Sequence, residues 1–146
     1  MNAVIELFRP VGAAELALIR ESGWRAFPSR LQGQPIFYPV VDEEYARQIA
    51  RDWNSRRTGV GFVVRFTIES EYLKSYEVHQ VGARIHREYW IPAAELDNFN
   101  NNIVGQIEVV ASFESGDEVR RGPEAEGYRR PPVRIRSRAK ARVAQR

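Results

Sequence analysis

Val60-Gly61-Phe62-Val63-Val64-Arg65-Phe66-Thr67-Ile68-Glu69 is the stretch that decides the fold. Val60, Phe62, Val64, Phe66 and Ile68 alternate with Gly61, Val63, Arg65, Thr67 and Glu69. That period of two places alternate side chains on opposite faces of an extended chain and predicts a strand. A second long strand is predicted over Ile103 to Phe113. Ile107, Val109, Ala111 and Phe113 are expected on one of its faces, and Gln106, Glu108 and Val110 on the other.

Between these strands the signals are shorter. Tyr76 to Val81 and Arg84 to Ile91 read as two strands around Gly82-Ala83, a hairpin pattern. Glu71 to Ser75 reads as a linker or helical turn. Pro92 suits the first position of a helix through Asn98, with Leu96 and Phe99 facing inward.

Upstream, Val4 to Phe8 reads as a strand ending at Pro10, because the residue before a proline is pushed out of helical space. Ala13 to Ser22 reads as a helix with Gly23 at its C′ position. Trp24 to Gln34 reads as a loop, and Pro35 to Val40 as a short aromatic strand bracketed by prolines, which suits an edge. Asp42 is expected to cap a helix running to Asn54. Tyr45, Ile49 and Trp53 fall at i, i+4 and i+8 and form its apolar stripe. Ser55 to Gly59 reads as a basic turn. The sum predicts an α+β fold: a mostly antiparallel, split sheet of short strands with two or three helices set off it.

The 146 residues suit one domain, and 43% hydrophobic with 11% aromatic content supplies a core at this size. The net charge of +3 conceals two unlike parts. Arg120 to Arg146 holds ten basic against two acidic residues, a local +8. Residues 1–119 hold 12 basic and 17 acidic residues, a local −5. The expected division is therefore a globular domain over 1–114 and a basic, disordered tail over 115–146, arginine-rich and without apolar periodicity. The tail's charge and Tyr128 fit a nucleic acid or another acidic partner, or a solubilising extension.

The chain has no cysteine, which excludes disulfides and thiolate chemistry and fits a reducing cytoplasm. It has no apolar run of transmembrane length, so no membrane partner is expected. The N-terminal residues lack a secretory pattern. Phosphate-loop, dinucleotide and nucleophile-elbow motifs are absent. His79 and His86 lack further ligands for a metal and read as polar strand positions.

Arg9 is the candidate binding cation. A guanidinium at a strand end holds phosphate or carboxylate through two parallel hydrogen bonds. Phe8-Arg9, Glu15-Leu16 with Ile19, Ser22-Gly23 and Pro28-Ser29-Arg30 together resemble the first strand, helix and loop of cholera-toxin-type mono-ADP-ribosyltransferases. Gln106-Ile107-Glu108 resembles that family's Q-x-E motif on a late strand. In place of the toxins' Ser-Thr-Ser stands Phe37-Tyr38-Pro39-Val40, with a tyrosine as in the poly-ADP-ribose polymerase branch. Leu7 to Phe113 also resembles small bacterial proteins labelled "ADP-ribosylation".

The resemblance implies an ADP-ribosyltransferase-like fold and NAD as substrate. It implies transfer of ADP-ribose to a protein or nucleic-acid acceptor, or NAD glycohydrolysis. Glu108 would then stabilise the oxocarbenium-like state and Gln106 would position the acceptor. Arg9 would hold a phosphate, with Arg25 and Arg30 adding phosphate contacts, and Tyr38 would stack on nicotinamide. The alternative is a catalytically inactive interaction module on the same fold.

Overall fold

The computed structural model describes residues 3–115. The predicted basic tail, apart from Ser115, lies outside the described residues. The fold is α+β with antiparallel pairing throughout, as the alternation predicted.

Strand β1 (Val4–Val11) is followed by helix α1 (Ala13–Glu21) and a long loop to the short strand β2 (Ile36–Phe37). Helix α2 (Glu43–Ile49) continues through a π-helical turn (Ala50–Asn54) into α3 (Ser55–Thr58). Next come β3 (Val60–Glu69), α4 (Ser70–Leu73), β4 (Val78–Gln80), β5 (Arg87–Tyr89) and β6 (Ile91–Pro92). A 3-10 turn (Ala93–Glu95), α5 (Leu96–Asn101) and β7 (Ile103–Glu114) complete it.

Strand β3 is the centre of the main sheet, between β1 and β7. The sheet continues past β1 through a single residue. Val40 bridges Phe8 on one side and Glu88 of β5 on the other, and β5 pairs with β4. Strands β2 and β6 form a separate two-stranded sheet. The expected strand over 35–40 is therefore split. Ile36 and Phe37 pair in the small sheet, Tyr38 and Pro39 cross over, and Val40 joins the large one.

Strand β1 runs through Pro10 instead of stopping before it. The backbone N–H of Phe8 donates to Val40 O at 2.9 Å, so Phe8 turns its polar groups away from β3. Pro10 has the same parity, and its missing N–H removes no bond of the β1–β3 ladder. The expected hairpin closes farther out than Gly82-Ala83: Val81 N–H donates to His86 O at 2.8 Å, leaving 82–85 as the turn. Pro92 ends β6 instead of opening a helix, yet Leu96 and Phe99 are buried as predicted. Asp42 stands at the N-cap position of α2, but its carboxylate accepts from Arg87 and makes no side-chain cap bond.

Both faces of β3 are covered. Val64, Phe66 and Ile68 join Leu7, Val11, Ile19, Phe27, Phe37, Phe99 and Ile107 in one core. Val63 joins Phe8, Val40, Tyr45, Ala46, Ile49, Ala50 and Phe113 in a second core beneath α2. Strand β7 departs from the prediction here. Ile107 packs in the first core and Phe113 in the second, so the two do not share a face. The register slips between Val63/Val64 and again between Arg65/Thr67. The first shift adds one residue to β7 and the second adds two. The single-residue insertion lies between Ile107 and Phe113, and an odd insertion reverses which side chains point inward.

Candidate functional site

Arg9 lies on the face of β1 that carries Leu7 and Val11, and its side chain is 2% exposed. Its Nε donates to Glu15 Oε2 at 2.7 Å and its Nη2 to Glu15 Oε1 at 3.0 Å. This is the side-on, two-bond arrangement that suits a guanidinium and a carboxylate. Gly12 caps α1, so the first helical turn folds back over the end of β1 and sets Glu15 opposite Arg9. Nη1 of Arg9 donates to Tyr38 O at 3.4 Å. The guanidinium carbon sits 4.6 Å from the centroid of the Phe37 ring, within cation–π range.

Arg30 enters the same place from the loop before β2. Its guanidinium carbon is 6.0 Å from the same Phe37 ring. Its Nε and Nη2 are buried and have no hydrogen-bond partner among the described residues. Burial, followed by the nearby positive charge of Arg9, pushes the guanidinium pKa down to about 10, while Glu15 and Tyr38 pull the other way. Arg30 is thus still charged at neutral pH. Two cations share one carboxylate, and Arg9 occupies both of its oxygens.

Glu108 stands elsewhere. It is exposed, and its carboxylate accepts from Nη2 of Arg65, the residue directly across on β3. Arg65 in turn faces Phe8, and Phe8 packs in the second core. Glu108 and Arg9 therefore project from opposite faces of the sheet. Glu6 also lies beside Arg65, at 3.5 Å. The hydrogen bond that Arg65 donates to Glu108 is the chief reason that the Arg65 pKa is raised.

The Gln106 amide donates to Gly23 O at 3.1 Å, after α1, whereas Glu108 is engaged by Arg65. Gly105 adopts φ +78° at this second bulge, which turns the local chain. Arg25 is exposed in the turn organised by Ser22, whose Oγ accepts from its backbone N–H. Tyr38 is half-buried and meets Arg9 through its carbonyl oxygen. Of the predicted residues, Arg9 and Tyr38 come together with Arg30; Gln106, Glu108 and Arg25 do not join them.

A second polar cluster had no sequence signal. Glu88 is 0% exposed. Tyr45 Oη donates to its Oε1 at 3.2 Å and Trp90 Nε1 to its Oε2 at 2.8 Å. The Trp90 indole stacks on His79 at 3.7 Å between centroids. A charge between Arg87 and Tyr89 in a short strand ordinarily faces water, so only the Val40 bridge reveals that it turns inward.

His86 adjoins that cluster. Its ring lies 4.6 Å from that of Tyr45. Ala83 N–H donates to Nδ1 at 3.1 Å, and Nε2 meets Gln48 Oε1 at 3.1 Å. A backbone N–H only donates, so the bound tautomer carries its proton on Nε2. Burial lowers the His86 pKa, against a smaller upward pull from Asp42. The neutral ring is favoured in the fold, so this contribution is present above the unfolded value of 6.5 and is lost as pH falls below it. In a proton NMR titration, His86 is expected to show its midpoint below 6.5; a midpoint above it contradicts the Ala83 contact.

Among the described residues no cluster of three or more metal-ligating side chains occurs, and no helix is long and apolar enough to cross a membrane. No family model, no curated protein and no solved structure matches the chain.

Proposed function

We propose that the chain is a non-catalytic binding module built on an ADP-ribosyltransferase-like scaffold. The separation of Arg9 and Glu108 by the thickness of the sheet carries this reading. Cleavage of a glycosidic bond in NAD needs an anion-holding cation and a carboxylate on one cleft, close enough to bracket one ribose. Here each group is engaged by an opposite charge on its own face. The scaffold assignment is supported by the opening strand with Phe8-Arg9, the helix and loop that follow, and the antiparallel split sheet.

The test is turnover. Purified full-length chain incubated with NAD is expected to release no nicotinamide and to label no acceptor. Glu108→Ala is expected to leave that baseline and the fold unchanged. Turnover in the wild type that disappears in Glu108→Ala overturns the proposal and restores the NAD-consuming enzyme.

A further inference from the structure

We propose that Arg30 is the ligand-binding residue of this module, and that its free Nε–Nη2 edge receives one oxyanion, a phosphate or carboxylate group, beside the Arg9–Glu15 pair. The inference gives the module a ligand class and rests on the binding-module reading for its biological meaning.

Three observations carry it. First, Nε and Nη2 form the side-on edge of a guanidinium, the pair that engages a planar or tetrahedral oxyanion through two parallel bonds. Arg9 uses this edge on Glu15 at 2.7 and 3.0 Å, while the same edge of Arg30 is buried without a partner. A buried donor left unmade is costly, and a charged one more so. Second, the local charge is unbalanced. Arg9 and Arg30 contribute +2 and Glu15 −1, so one singly charged oxyanion brings the site to neutrality. Glu15 accepts one bond from Arg9 at each of its oxygens and none from the Nε–Nη2 edge of Arg30. Third, Arg30 is carried on the loop between α1 and β2, whose neighbouring Leu31 is 71% exposed. Ligand entry therefore requires a shift of surface loop and not of the core. The depressed Arg30 pKa agrees with this arrangement, because an anion there would offset both burial and the repulsion of Arg9.

Inorganic phosphate and acetate are the probes, each titrated into the full-length chain against chloride at equal ionic strength. Saturable perturbation of the Arg30 Nε–H resonance, with a rise in melting temperature, is expected for at least one of them. Saturation by phosphate assigns a phosphate-bearing ligand, and saturation by acetate alone assigns a carboxylate. Arg30→Met is expected to bind about tenfold or more weakly, the scale of one lost charged hydrogen bond, yet to melt higher than wild type without added anion. An arginine whose role is only structural would melt lower when removed. If Arg30→Met fails to fold, Arg30→Lys keeps the charge without the fork and is expected to show the same loss of binding. No saturation with either probe, or equal saturation when Arg30 is replaced, overturns the inference. NAD turnover is read separately: turnover with phosphate still titrating Arg30 removes the non-catalytic reading and leaves this site standing.

Discussion

Gly61→Ala lowers stability by about 3 kcal/mol, at the upper end for overpacking a rigid site. At roughly 4 °C per kcal/mol for a domain near this size, its melting point falls by about 12 °C. A Cβ at this position would lie 2.3 Å from Ala50 O and 2.8 Å from Asn54 Cβ. Ala50 O belongs to the π-helical turn, so the obstacle is backbone and cannot be relieved by a rotamer change. The turn is pressed against β3, and the Gly61 site sets how closely the helix approaches the sheet. Gly59→Ala is the internal control. Gly59 adopts φ +91° with open space around its missing Cβ, so alanine there costs only the strain of a left-handed backbone, roughly 1–2 kcal/mol. Urea titrations of both variants decide the matter. Equal losses would mean that the helix–strand contact is not the cause.

Gly61 also marks how far the sequence could be read. The alternation over Val60 to Glu69 was legible because β3 is long and regular, and its identity as a strand follows from periodicity alone. The stripe Tyr45, Ile49, Trp53 likewise announced α2, and Tyr45 and Ile49 are buried as it requires. The π turn after Ile49 was not legible, since it arises from where the helix must meet Gly61 and not from local propensity. The same holds for β7. Its apolar pattern promised one face from Ile107 to Phe113, but the one-residue bulge opposite Val63 and Val64 reverses the alternation between them, and a bulge is a property of two strands together.

The candidate site divides along the same line. Arg9 at a strand end, with Glu15 six residues later, is local, and the sequence placed both near the start of the fold. The link from Arg9 to Glu108 was an inference across strands, and it depended on which face each residue takes. Strand β1 sets Arg9 with Leu7 and Val11, whereas the register through Phe8 and Arg65 sets Glu108 on the other side. Arg30 was one of several loop cations in the sequence, indistinguishable from Arg25. Tertiary folding separates them, leaving Arg25 exposed and bringing Arg30 to the Phe37 ring.

Glu15→Ala is expected to be the most damaging change on the Arg9 face. Removing one member of a buried ion pair leaves the other charge desolvated, at a cost of about 3–5 kcal/mol. Glu15 is partly open at 21% exposure, which moves the expectation toward the lower value, but Arg9 at 2% has no route to water. The loss also leaves Arg9 and Arg30 as two unneutralised cations at one aromatic ring. Arg9→Met with Glu15→Leu is expected to recover most of the loss, because a well-packed apolar pair of similar volume avoids the desolvation of both charges. Equilibrium denaturation of Arg9→Met, Glu15→Leu and the double variant gives the coupling between them. Additive losses would mean that the pair is not the unit holding α1 to β1. Strong coupling makes Arg9 a fixed structural cation whose hydrogen bonds are already made, and that leaves Arg30 as the guanidinium of this pair with an open edge for a ligand.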